Sequence, residues 1–384
     1  MSQSGPARWE ALDLLRGLSV IGMLLNLAPG AWNLEYAWEE HAKWEGIHAI
    51  DLVAPAFLFC VGAALPFSLA SRARKGATAL DLVWHVLWRA AALVAIGLFL
   101  NAYPNFDWAT MRVPGVLQRI GLAYAVAGLF AILIGKRDAT GLRISPNVVS
   151  AAIVFILISY WVLLAFVPVP GFGAPRFDPV GSWPAYLDRI VFTPAHMFMW
   201  WPVDGKIVFD PEGLLSTWPA VASVLVGTVT GLYYRKSGPQ PVKTALAGAV
   251  AIVLAVAIQS HCPIIKNLWT STFVFLSSGI ALVLLAGFEW IGRIAAQDGW
   301  FMPLRVFGAN PLLAYMLCFL ASPWLDYAFL HTGHGQVSIR AGGEALLSRA
   351  VDPAMASFLF SLIYVAATGL VLWYCYRRRW FLKL

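Results

Sequence analysis

The stretch H-A-K-W-E-G-I-H-A-I-D-L-V-A-P-A-F-L-F, His41 to Phe59, decides the fold. Histidines, acids and a tryptophan stand here at the mouth of an apolar run that continues to Ala70. A helix crosses the hydrocarbon of a bilayer with about 20 such residues. Titratable groups beside lipid are costly and need a reason to be there. Proton-transfer chemistry on a substrate held at the membrane is one such reason.

Composition generalises the reading. Of 384 residues, 60% are hydrophobic and 12% charged, against about 25% charged in a soluble domain. The expected class is an all-α polytopic bundle, a single transmembrane domain over residues 1–384. Eighteen tryptophans fit indoles at bilayer interfaces. The net charge of +7 suits nucleic acid in a soluble protein. Here the basic residues fall in alternate loops, so no nucleic-acid partner is expected. Four cysteines without a C-x-x-C pattern, and seven histidines without ligand spacing, give no metal site. The N-terminal segment carries Asp13 and Arg16 and lacks a cleavage pattern, so the first span is expected to be retained.

About ten stretches are long enough to span: 11–29, 47–70, 82–101, 115–135, 148–168, 213–234, 243–259, 269–290, 303–322 and 355–376. Arg72, Arg74 and Lys75, then Lys136, Arg137 and Arg143, then Arg235, Lys236 and Lys243 follow even-numbered spans. Arg377, Arg378, Arg379 and Lys383 close the chain. The positive-inside rule therefore puts both termini in the cytoplasm. The His41 loop, the long loops near 169–212 and 323–354 (the second holding His334), and the loop around Lys266 then face outward.

Four polar groups enter the membrane from that outer side. They are His41 to Asp51, Arg112 to Arg119 with Gln118, Asp210 to Thr217 with Glu212 and Ser216, and Lys266 to Thr272 with Trp269, Thr270 and Ser271. Each heads an inward-running helix, whose N-terminus offers unpaired N–H groups and partial positive charge. If the ends converge, they form an outward-facing pocket ringed by donors. Capping accounts equally well for Glu212, and interfacial anchoring for Trp44 and Trp269. Arg119 lies a turn inside its span, so it needs a buried acid, with Asp51 a candidate, or a bound anion. A second polar set, Asp13 and Arg16 with Arg305 and Asn310, sits toward the cytoplasm. It reads as internal salt bridging or as phosphate binding.

Leu12 to Gly17 (L-D-L-L-R-G), His41 to Gly46, Asp51 to Phe59, Pro211 to Thr217, Asn267 to Ser271 (N-L-W-T-S) and Phe307 to Tyr315 (F-G-A-N-P-L-L-A-Y) together resemble the heparan-α-glucosaminide N-acetyltransferase family in its bacterial form. The resemblance implies a multi-pass enzyme of the bacterial inner membrane. Such an enzyme moves acetyl from cytoplasmic acetyl-CoA, a co-substrate, to the amino group of a glucosamine-like acceptor on the periplasmic side. It places the active-site histidine at His41. Glu45 stands where the family motif has Asn. The family Asn at the end of the first span precedes a Pro-Gly or Gly-Gly pair by two residues, whereas Asn26 precedes Pro29 by three.

The expected catalytic set is His41, Asp51 and Asn26, with Asn26 or Thr270 as oxyanion donor. The expected binding set is Arg16, Gln118, Arg119, Glu212, Ser216, Lys266, Trp269, Thr270, Ser271 and Asn310. Two alternatives stay open: a transporter or flippase of a sugar or lipid-linked sugar, and an O-acyltransferase of cell-envelope glycans. Homo-oligomerisation is also open.

Overall fold

The computed structural model describes residues 9–138, 141–294, 299–332 and 335–382. Arg8, His334 and Lys383 lie outside them. Thirteen α-helices are described: α1 Glu10–Leu27, α2 Val53–Arg74, α3 Ala79–Ala102, α4 Val116–Ile134, α5 Pro146–Phe166, α6 Trp183–Val191, α7 Thr217–Ser237, α8 Pro241–Ile258, α9 Ser271–Ile294, α10 Met302–Ala309, α11 Pro311–Tyr327, α12 Ile339–Leu347 and α13 Pro353–Arg377. Two antiparallel hairpins, β1 Lys136–Asp138 with β2 Gly141–Arg143 and β3 Phe329–Thr332 with β4 Gly335–Ser338, lie between helices.

The helix starts follow from the sequence. Proline occupies the first turn of α5, α6, α10, α11 and α13, where its missing N–H costs nothing. Thr78 and Asp81 cap α3 reciprocally, and the Asp352 carboxylate accepts from Ala354 and Met355 at the head of α13.

Helix stands at all ten expected stretches. Seven are long and apolar enough to cross a membrane, and α10 with α11, bent by 75°, make an eighth if they count as one span. The chain is thus a helical multi-pass membrane protein. α1 carries Glu10, Asp13 and Arg16 within 18 residues, and α7 is rich in Gly, Ser and Thr, so composition alone leaves both out. The outer faces of α3, α5 and α8 stay bare. Leu80, Trp84 and Trp88, Phe155 and Ile158, and Val242 and Leu246 are exposed. An apolar surface this extended suits lipid rather than water. The segments expected to be long loops are partly folded, as α6 and as the β3–β4 hairpin with α12.

The chain divides into two compact units: residues 1–40, 239–247 and 281–383, and residues 41–238 and 248–280. In the first, α1 crosses α10 on glycines. A Cβ on Gly17 would meet the Leu304 carbonyl oxygen at 2.0 Å, and one on Gly308 that of Asp13 at 2.0 Å. In the second, α2 and α7 cross the same way. A Cβ on Gly62 would meet Val224 O at 1.8 Å, on Gly227 Phe59 O at 2.0 Å, and on Gly231 Ala63 O at 2.3 Å. The Phe59–Gly227 and Ala63–Gly231 contacts advance together, so the two helices run parallel, with their N-termini at the same end. Small residues at a crossing let membrane helices approach to backbone contact, where dispersion and weak Cα–H···O bonds replace a hydrophobic driving force.

Gly227→Ala should therefore cost about 1–3 kcal/mol, because the obstacle is backbone and cannot swing away. Gly287→Ala in α9, whose Cβ would meet open space, should be neutral or gain up to about 1 kcal/mol from helix propensity. Thermal melts in detergent compare the two.

Candidate active site

The parallel crossing brings the heads of α2 and α7 together, and loops from the same unit add two more helix heads. Before α2 the chain makes a 3-10 turn, Ala49–Leu52, that buries Asp51 completely. Asp51 Oδ2 accepts from the backbone N–H of His48 (2.8 Å) and Ala42 (3.2 Å). Its Oδ1 lies 2.7 Å from His41 Nδ1 and 3.3 Å from Lys266 Nζ. Both loops are fixed to each other by the Gly46 N–H donating to Ile264 O at 2.8 Å and by a parallel bridge of Gly46 to Ile265. Gly46 holds φ +91°, a conformation that suits glycine. Glu45, in the position of the family Asn, is exposed.

Lys266 Nζ is 2.8 Å from His41 Nδ1 and 3.2 Å from Nε2. The ammonium thus reaches both ring nitrogens. A carboxylate only accepts, so Nδ1 is the donor to Asp51 and Nε2 is the unprotonated nitrogen, with Lys266 Nζ beside it. Burial and the Lys266 charge outweigh Asp51, so His41 titrates below the usual histidine value and is neutral at pH 7. Burial also lowers the Lys266 pKa, against the pull of Asp51 and Glu212. Trp201 packs edge-on to the imidazole, with ring centres 5.9 Å apart. Trp44 is a packing anchor: its Nε1 donates to Phe177 O at 2.7 Å and its ring meets Phe209 edge-on at 5.0 Å.

A second ion cluster borders the first. Arg112 Nε and Nη2 grip the two Asp210 oxygens at 2.9 and 2.5 Å, and Nη2 also reaches Glu212. Asp210 further accepts from the Phe198 and Glu212 backbone N–H groups. Burial alone would raise the Glu212 carboxyl, but Arg112, Arg119 and Lys266 more than offset it, and its pKa falls below the usual value. Glu212 thus feels the cations of both clusters, and the four helix heads share one electrostatic neighbourhood.

Arg119 does not pair with Asp51. The carboxylate is filled by His41, Lys266 and two backbone donors, while Arg119 donates to Ser216 Oγ and lies with its guanidinium carbon 4.7 Å over the Trp269 ring. Trp269 is fixed in turn by φ +54° and by Nε1 donating to Ser223 Oγ at 3.1 Å. Other expected residues serve the framework. Gln118 donates to Val113 O, the Thr270 hydroxyl donates to Pro263 O and accepts from Ile265 N–H, and the Ser271 hydroxyl donates to Leu157 O.

Asn26, Arg16 and Asn310 belong to the other unit. There Asn26 Nδ2 donates to Glu39 O (3.1 Å), and Arg16 bonds Gly308 O (2.7 Å) and Asp13. Asn310, at the α10–α11 bend, donates to Trp380 O and accepts from Leu382 N–H.

Sequence reasoning did not single out Trp201 or Asp188, quoted Asn267 only within a motif, and did not pair Arg112 with Asp210. Arg112 and Asp210 are 98 residues apart, and no periodicity joins them. Asn267 Oδ1 is buried without a partner among the described residues. Asp188, on α6, is fully buried. Its Oδ1 accepts from Leu214 N–H at 2.9 Å, and its Oδ2 has no partner and lies against Gly213. Burial pushes its pKa up to about 7, despite that N–H.

Fold and site together define a multi-pass helical membrane protein with a buried His–Asp–Lys cluster at the heads of its helices. The family model described as heparan-alpha-glucosaminide N-acetyltransferase, catalytic, matches residues 8–187, which include His41, Asp51 and Arg119. The chain is 27% identical to heparan-alpha-glucosaminide N-acetyltransferase of Homo sapiens over 356 residues, covering 81% of this chain and 52% of the relative. It is 28% identical to that of Mus musculus over 327 residues, covering 74% and 49%. These matches support the family that the motifs resemble. The chain spans about half the length of these curated relatives.

Asp188 sets a pH test. Its folded pKa is above the unfolded value, so its folded state holds the proton longer, and stability falls as pH rises from about 4 to about 7. Asp188→Asn should flatten that part of the melting-temperature profile. Asp210→Asn, which breaks a buried pair, should cost about 3–5 kcal/mol at pH 7.

Proposed function

We propose that the protein transfers the acetyl group of acetyl-CoA to the amino group of a glucosamine-like sugar, with His41 as general base. The observation that carries this is the orientation of one imidazole. Its Nδ1 is bound to the buried Asp51, its Nε2 is the unprotonated nitrogen, with Lys266 Nζ at 3.2 Å, and it lies within a segment matched by the acetyltransferase family. An ammonium is no nucleophile, so the acceptor must lose a proton, and a neutral imidazole suits that task at pH 7. Asp51 holds the tautomer and supports the imidazolium once it forms. Burial, aided by the Lys266 charge, keeps the resting ring neutral. Glu212 and Arg112, beside this cluster, would orient the sugar.

The loop asymmetry of Lys and Arg supports a site on the outer face with both termini in the cytoplasm. The acetyl donor would then arrive from the opposite side. The relatives' names support an amino-sugar acceptor.

His41→Ala should lower turnover by about 10²–10⁴-fold while acetyl-CoA still raises the melting temperature by linkage. Labelled acetyl-CoA with a panel of amino sugars reads the first, and a thermal melt the second. Absence of both product and thermal shift in the unaltered protein would overturn the reading in favour of transport. The pH profile carries a further expectation. Because His41 titrates low, the acid limb of kcat/KM should fall below pH 6.5. Lys266→Met removes a cation that lowers that value, so the limb should move to higher pH.

A further inference from the structure

The hydroxyl and amide expected to stabilise an oxyanion are engaged elsewhere. The Thr270 hydroxyl proton goes to Pro263 O at 2.7 Å. Asn26 donates to the Glu39 carbonyl within its own unit. In the unit that carries His41, a stronger donor is left over. Arg119 is 3% exposed, on the first turn of α4. One Nη donates to Ser216 Oγ, and the Ser216 hydroxyl passes its own proton to Gly213 O at 3.1 Å. Its Nε and Nη1 are buried with no acceptor, and no carboxylate among the described residues stands at ion-pair distance from it.

A guanidinium does not shed its charge in a protein, so burial without a directly bonded counter-ion, with Glu212 and Asp210 acting only from a distance, is a standing cost. Buried polar groups are otherwise almost always satisfied. The rest of the arrangement holds this group still. Trp269 lies under its face, in a left-handed backbone conformation that costs energy for a residue with a bulky side chain. The turn that carries Trp269 also carries Lys266, with Trp269 N–H donating to Lys266 O at 2.9 Å. One turn therefore presents Lys266 to His41 and the indole to Arg119.

We propose that Arg119 is a catalytic residue, one of whose unpartnered N–H donors receives the carbonyl oxygen of the thioester and the negative charge that develops on it. The inference rests on the acetyl-transfer reading above. The amine nitrogen forms a bond to the carbonyl carbon, and the π pair moves onto oxygen beside Arg119. His41 Nε2 takes the amine proton. The oxyanion then collapses, the C–S bond breaks with its pair on sulfur, and His41 returns the proton to give free CoA thiol and the amide. Fixed donors aimed at such an oxygen cost no reorganisation during the reaction.

The test compares Arg119→Ala and Arg119→Lys with the unaltered protein in detergent, using acetyl-CoA and glucosamine. Arg119→Ala should lower kcat by about 10²–10³-fold, with acetyl-CoA affinity and acceptor KM each within about threefold. Guanidinium ion added to Arg119→Ala should restore at least about tenfold of the loss, and sodium chloride at equal strength should not. Arg119→Lys keeps the charge over Trp269 and so guards against a folding failure. It should still lose about tenfold or more in kcat, because the donor geometry is gone. The inference is overturned by full kcat in either folded variant, by affinity falling in step with kcat, or by failure of guanidinium rescue. Absence of acetyl transfer in the unaltered protein would instead sink the reading on which it rests.

Discussion

Backbone contact between α2 and α7 is the constraint on which the second unit depends. Gly62, Gly227 and Gly231 allow two parallel helices to touch at their peptide groups. Parallel packing aligns their dipoles, so the positive ends of α2 and α7 fall side by side. The acids Asp51, Asp210 and Glu212 answer that field where it is strongest, and Arg112, Lys266 and Arg119 arrive on the neighbouring helix heads. Without close approach, each carboxylate would be a lone buried charge. With it, each is one member of a network in which cations and anions offset one another.

Much of this was legible in the sequence. Hydropathy located helix at all ten stretches, and the four polar segments were recognisable as helix heads because each preceded an apolar run. Their convergence was foreseen only as a condition, since periodicity states which face is polar but not which helix it meets. The His41–Asp51 pair was within reach, because the two residues are ten apart and flank one helix start. The number of true crossings is less plain. α1 and α7 owe their place to glycine packing and internal ion pairs rather than to apolar length, and composition does not register that.

What the sequence withheld is the choice of partner. Arg119, a turn inside its span, was expected to meet a buried acid, Asp51 being one candidate, or a bound anion. The structure gives Asp51 to His41 and Lys266 and gives Arg119 an indole and a hydroxyl. Trp269 read as an interfacial anchor, which tryptophans near helix ends commonly are, yet it is buried as the support of a guanidinium. The segment from residue 169 to 212 read as a loop for want of apolar length. Asp188, Arg189 and Trp44 nonetheless tie it down through single contacts to Leu214, Val208 and Phe177, too sparse to leave a pattern.

The contact between Lys266 and Asp51 bears on chemical durability. A buried amine with a lowered pKa is a good nucleophile, and on the proposed chemistry this one stands beside an activated thioester. Were Lys266 to lose its proton, it would compete with the sugar and trap the acetyl group as a stable amide, ending the life of that enzyme molecule. The Asp51 carboxylate at 3.3 Å favours the ammonium form, which has no lone pair to attack with. On that chemistry, the carboxylate that bonds the histidine would thus also protect the site from modifying itself.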